Sequence, residues 1–193
     1  MNRAELKDRV CRAHHELKDR GLMIYTWGNV SAIDRDSGEI AIKPSGIPCE
    51  TLRPEDIVVI DLAGKVVEGH YKPSSDTPTH LRLYSAFARV GAIVHTHSLF
   101  ASAWAQAGRS LPCLGATHAD CFLGSVPCTR ALSLHEITGD YETEIGNVIV
   151  ETFETKRRDP LRTPAVLVNC HGPFTWGETV EDAVYNAVVL EEI

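Results

Sequence analysis

The feature that most constrains this fold is His95-Thr96-His97 at the end of the apolar run Ala92-Ile93-Val94. The run predicts a strand. Alternation along a strand sends residues two apart to one face, about 6 to 7 Å apart at Cα. Both imidazoles can then converge on one ion, as in a metal chelate. A second apolar run, Ala165-Val166-Leu167-Val168, leads to His171-Gly172-Pro173. If the two strand ends meet, His171 becomes a third imidazole donor. Asp76, in Lys72-Pro73-Ser74-Ser75-Asp76-Thr77-Pro78, offers a carboxylate just ahead of an expected helix. Three neutral imidazoles and one carboxylate suit Zn²⁺ or another borderline divalent cation, with substrate oxygens completing the sphere. The competing reading gives each histidine a backbone hydrogen bond and makes Asp76 a helix cap.

Residues 3 to 20 place Leu6, Val10, Ala13 and Leu17 at helical spacing, with Gly21 as the stop. Ile24 to Ile33 and Glu39 to Lys43 read as a hairpin around Asp36-Ser37-Gly38, and Ile57 to Asp61 and Lys65 to Glu68 as further strands. These close reversals favour antiparallel pairing over crossed βαβ units. Thr77 and Pro78 open a helix with Leu81, Leu83, Tyr84 and Phe87 to bury. Ser98 introduces a short buried helix packing through Phe100 and Trp104, residues 111 to 130 read as irregular strand and loop, and Tyr141 to Phe153 and Thr179 to Ile193 read as helices. With 193 residues, 44% hydrophobic content and no linker, residues 1–193 are expected to form one domain. A formal charge of −7 disfavours nonspecific binding to nucleic acid or anionic membrane. No apolar leader or membrane-length run is present, so the cytoplasm is the default compartment. Six cysteines without a C-x-x-C pair, mostly in apolar surroundings, read as buried reduced thiols.

The ordered set Thr26-Trp27-Gly28-Asn29-Val30-Ser31, Lys43-Pro44-Ser45-Gly46, Lys72 to His80, Ile93 to Ser98 and His171-Gly172-Pro173 resembles the L-ribulose-5-phosphate 4-epimerases of the class II aldolase and adducin-head superfamily. The resemblance covers nearly the whole chain. It implies an α/β fold with a central, mainly antiparallel sheet flanked by helices on both faces. It also implies a homotetramer with active sites at subunit interfaces. By that pattern Asp76, His95, His97 and His171 match the metal positions. Asp120 matches a catalytic acid/base, and Gly28, Asn29, Ser45, Gly46, Ser74 and Ser75 match substrate-binding positions. The metal is expected to be Zn²⁺, with Mn²⁺ and Co²⁺ as alternatives. The family's second acid/base is a tyrosine in a C-terminal tail supplied by a neighbouring subunit, and this sequence shows no such tail after Ile193.

Glycines, hydroxyls and a nearby helix N-terminus can cradle a phosphate without a Walker motif, although the same residues also make ordinary turns. Lys43 either adds positive potential there or faces solvent. His118 shares a face with Asp120 if that segment is extended. His14 and His15 read as surface or interface residues, and His80 as packing or capping. Trp27 and Trp176 either border the cavity or pack in the core, and Glu142 is an interface or metal-environment acid. The implied reaction interconverts L-ribulose 5-phosphate and D-xylulose 5-phosphate by retro-aldol cleavage and readdition. The alternatives are a class II sugar-phosphate aldolase, whose relatives carry glutamate where this chain has Asp76, and a noncatalytic adducin-head-like interaction protein.

Overall fold

A computed structural model describes residues 2–193. Helix α1 (Arg3–Asp19) starts at Asn2, whose side chain accepts from the Glu5 amide, and is followed by Gly21 at φ +75°. Strands β1 (Asn29–Asp34), β2 (Glu39–Ile42), β3 (Val58–Ile60) and β4 (Val66–Glu68) run as successive antiparallel reversals. Helix α2 (Thr77–Ala86) leads to β5 (Ala92–His95) and α3 (Leu99–Gln106). Short helices α4 (Ala116–Cys121) and α5 (Leu134–Thr138) precede α6 (Tyr141–Thr155). The chain then forms β6 (Ala165–Leu167), β7 (Pro173–Gly177) and α7 (Val180–Glu192). The strands form one sheet in the order β4-β3-β2-β1-β5-β7-β6, every neighbouring pair antiparallel.

Strand alternation supplies two apolar faces, and helices cover both. Val30, Ala32, Ala41, Ala92 and Val94 pack with α1 and α7. Ile33, Ile40, Ile42, Ile93 and Phe174 face α2 and α6. The expected α/β architecture is therefore present. A third cluster joins α3, β6 and the end of α7. Burying each large aliphatic or aromatic side chain contributes about 1.5–3 kcal/mol, so the long helices α1, α6 and α7 are held by their apolar stripes more than by propensity. No helix among the described residues is long and apolar enough to cross a membrane.

Several expectations need correction. β1 begins at Asn29, not Ile24, because Tyr25 (φ +56°) and Gly28 (φ +79°) break the extended run. His14 is fully buried. Its Nδ1–H donates to the Val10 carbonyl (2.7 Å) and its Nε2 accepts the Val30 amide (2.9 Å), tying α1 to β1. His15 is half-buried and bonds the Leu52 carbonyl. Phe100 is 64% exposed, so α3 packs through Ala101 and Ala105, with Trp104 partly buried against the same cluster as expected. Trp176 is core, donating to the Pro160 carbonyl. All six cysteines are free, but only Cys11, Cys49 and Cys128 are buried.

Candidate metal centre and anion pocket

The site forms where three strands end together. Asn29 at the start of β1 pairs with His95 at the end of β5, and β7 opens beside that end. His95 shares the sheet face of Ile93, beneath α2 and α6. Its ring stacks on Phe174, with centroids 4.1 Å apart, and its Nδ1 donates to the Pro173 carbonyl at 2.9 Å. That bond places the proton on Nδ1 and leaves a lone pair on Nε2. His95 Nε2 lies 3.1 Å from His97 Nε2 and 3.0 Å from His171 Nε2. His97 lies past the strand's last residue, yet the extended chain carries it to the same point. His171 arrives through a tight return after Cys170 (φ +60°), and Gly172 lies so close to the Thr96 carbonyl that a Cβ there would stand 2.9 Å from it.

Burial lowers the pKa of all three histidines, most strongly for His95, whose two neighbouring imidazoles add to the effect. They are therefore neutral, the form that donates to a cation. Nitrogens 3.0–3.1 Å apart can share a cation when all three present lone pairs, and in its absence a His97 or His171 Nε2–H can donate to His95 Nε2. A tetrahedral zinc site with 2.0–2.1 Å Zn–N bonds has nitrogen–nitrogen edges of about 3.3 Å, close to this spacing. The donor set fits a borderline divalent cation. Asp76 lines the same hollow but stands outside the cluster of three nitrogens. Although it occupies the N-cap position of α2, its side chain makes no capping bond. Its Oδ2 instead accepts from Asn29 Nδ2 at 2.6 Å, and Asn29 also donates to Ser74 Oγ at 3.1 Å.

The hollow measures about 410 Å³ and includes Gly28, Asn29, Lys43, Ser45, Gly46, Ser74 and Ser75 with the three histidines. All the residues matched to metal or substrate are thus in one place. Lys43 is 2% exposed, which removes the solvent-facing alternative. Among the described residues its ammonium reaches only the carbonyls of Thr26 (3.3 Å) and Pro44 (3.4 Å). Burial lowers its pKa, and among the described residues no carboxylate pairs with it. A buried cation with only weak carbonyl contacts is costly unless an anion completes it. The N-terminus of α2 adds the favourable end of a helix dipole beside Ser74 and Ser75.

Asp120 is not brought to this hollow. It lies exposed in a separate depression of about 440 Å³ with Glu178, Asp182 and Tyr185. Its segment is helical, so His118 and Asp120 do not share a face. His118 turns inward and donates to the Gly124 carbonyl at 2.8 Å. Tyr185 is 59% exposed, its hydroxyl 3.6 Å from Cys121 Sγ.

His80 is buried, with Nδ1 2.7 Å from Ser31 Oγ, while its Nε2 and Asn29 Oδ1 are buried with no hydrogen-bond partner among the described residues. Desolvation lowers its pKa to about 3. Trp27 is 56% exposed at the mouth of the hollow, edge-on to His97. Glu142 lines the hollow as well. Sequence reasoning missed Tyr141 as a site residue. It opens α6, and its hydroxyl lies 2.9 Å from His171 Nδ1. Its position at the start of an amphipathic helix was legible, but nothing local pointed to His171.

The sequence profile of the family described as "Class II Aldolase and Adducin N-terminal domain" matches residues 8–193. Among solved structures, the chain is similar to an L-fuculose 1-phosphate aldolase at 26% identity and a TM-score of 0.82, covering 97% of this chain and 82% of that one. It is similar to YgbL of Escherichia coli, described as a candidate aldolase, epimerase or decarboxylase, at 25% identity and a TM-score of 0.77, with 98% and 86% covered. An L-fuculose-1-phosphate aldolase of Thermus thermophilus shares the fold at 24% identity and a TM-score of 0.73, with 98% and 90% covered.

Proposed function

Because the chain belongs to the class II aldolase and adducin N-terminal domain family, we propose that it is a metal-dependent sugar-phosphate enzyme, an epimerase interconverting L-ribulose 5-phosphate and D-xylulose 5-phosphate at C4. The observation that carries this reading is a hollow lined both by three convergent imidazoles and by a buried lysine that has no carboxylate partner among the described residues. One end suits a divalent cation, Zn²⁺ before Mn²⁺ or Co²⁺, and the other suits a phosphate.

A divalent cation held by His95, His97 and His171, with Asp76 beside them, would supply Lewis-acid stabilisation of negative charge at the ketose carbonyl. Lys43, Ser45, Ser74 and Ser75 bind the phosphate and retain the phosphorylated aldehyde after the C3–C4 bond breaks. Gly28 and Gly46 let the backbone approach it. Readdition to the other face of that aldehyde inverts C4. Asp120 takes or returns the proton of the C4 hydroxyl. This reading requires Asp120, which lies in another depression of its own chain, to serve the hollow from a neighbouring copy, as in a homotetramer with interfacial sites. No nucleic acid or membrane partner belongs to this reading, and the compartment is the cytoplasm.

The second reading is an aldolase that releases its fragments, favoured by the likeness to L-fuculose 1-phosphate aldolase. The shorter Asp76 in place of glutamate favours the epimerase. The test incubates the metal-loaded protein with each pentulose 5-phosphate and resolves epimers from free glycolaldehyde phosphate. Exchange of epimers supports the proposal, cleavage without exchange selects the aldolase, and neither reaction under metal saturation rejects both.

A further inference from the structure

The histidines of the triad are not held alike. His95 is fixed by the Pro173 carbonyl, and among the described residues His97 has no hydrogen bond at its other ring nitrogen. His171 has the Tyr141 hydroxyl, 2.9 Å from Nδ1, with the two rings inclined at 32°. Tyr141 is itself well anchored. It is the first residue of α6, which α2 grips where Thr79 Oγ1 donates to the Glu142 carbonyl at 2.5 Å. Gly146 permits this close approach, since a Cβ there would fall 2.7 Å from the Arg82 Cβ. The phenol is half-buried, forming part of the wall between the triad's hollow and an apolar one of about 470 Å³ lined by Ala131, Leu132 and Ile137.

We infer that Tyr141 is a positioning residue that orients His171 for the cation. The inference rests on the metal reading of the triad. If His171 Nε2 donates its lone pair to a cation, the ring proton must sit on Nδ1. Nδ1–H then donates to the Tyr141 oxygen. A partner of this kind fixes the tautomer and ring orientation of a metal-bound histidine, and its loss typically costs 10- to 100-fold in metal affinity.

The test compares the wild type with Tyr141→Phe, which removes one oxygen and keeps the ring, and with Ile137→Ala, which loosens the apolar side of the same wall without touching the bond. Zn²⁺ affinity of each metal-stripped protein is measured by competition with a chromogenic chelator, and the visible spectrum of each Co²⁺-loaded protein is recorded. Tyr141→Phe should bind Zn²⁺ about 10- to 100-fold more weakly with an altered Co²⁺ spectrum, while Ile137→Ala stays within about twofold of the wild type. Equal affinity and superimposable spectra for Tyr141→Phe and the wild type would overturn the role of Tyr141 and leave the triad intact. An equal loss in both variants would assign the effect to packing and overturn it too. A wild type that takes up neither ion would overturn the metal reading and this inference together.

Discussion

Lys43 and His14 are both buried bases, and they predict opposite kinds of failure. Among the described residues Lys43 has only two long carbonyl contacts, so its charge is available to a ligand. Lys43→Met should leave Zn²⁺ uptake unchanged and weaken binding of inorganic phosphate or a pentulose phosphate by about tenfold or more, the size expected when one charge-assisted contact is lost. Calorimetric titration with each ligand checks this, and undiminished phosphate affinity would remove Lys43 from the pocket. His14 is satisfied at both nitrogens only when neutral, and desolvation holds its pKa at about 3, against 6.5 for the free side chain. Between those values the unfolded chain binds a proton that the folded chain excludes. Stability therefore rises with pH across that window and is lost as pH falls through it. From pH 7 to pH 5 this one group costs about 2 kcal/mol. Urea unfolding at the two pH values should show His14→Gln losing about 2 kcal/mol less than the wild type, whatever its absolute stability. The same drop in both proteins would contradict the argument.

Gly28 and Gly46 both have left-handed backbone, but they sit differently in their elements. At Gly28 a Cβ would stand 2.7 Å from the His95 carbonyl, where β1 meets β5, whereas at Gly46 nothing lies within 4 Å. Alanine at Gly46 should cost about 1 kcal/mol of backbone strain, while alanine at Gly28 should cost about 2–3 kcal/mol and also weaken Zn²⁺ uptake by displacing the end of β5. Thermal melts and chelator competition on both variants decide it, and equal effects would show that the contact with His95 is immaterial. The elements that sequence made legible are those with a strong local run or stop signal: the apolar runs of β2 and β5, the second half of the run read for β1, Pro78 at the start of α2, and Gly21 after α1. The triad was readable because two of its members are two residues apart on an extended run and the third follows another run. Where long-range contacts decide, sequence was silent. α4 is too short to show a period, so His118 and Asp120 were expected to share a face. His14 is buried because β1 offers it an amide 16 residues away. Tyr141 gains its importance from a residue 30 positions on.

At the scale of the molecule, the proposed role of Asp120, which lies apart from the triad, requires a site completed by a second copy. Leu99, Phe100 and Leu114 are exposed apolar groups that such an assembly can cover. Asp120→Asn and His97→Gln should each abolish epimer exchange alone. Dissociating and reassembling the two variants together should restore roughly a quarter of wild-type activity, because random pairing leaves about that share of interfaces with both native residues. Continued silence of the mixture would show that Asp120 does not act across an interface. The order of strands carries a different message. β7 lies between β5 and β6, and residue 171, just ahead of it, completes the triad. A growing chain that has not yet released residues 171 to 177 leaves β5 as an open edge and has only two of the three imidazoles. On the metal reading, a three-imidazole centre forms only once residue 171 has emerged, so a loaded centre reports that synthesis has reached the approach to β7.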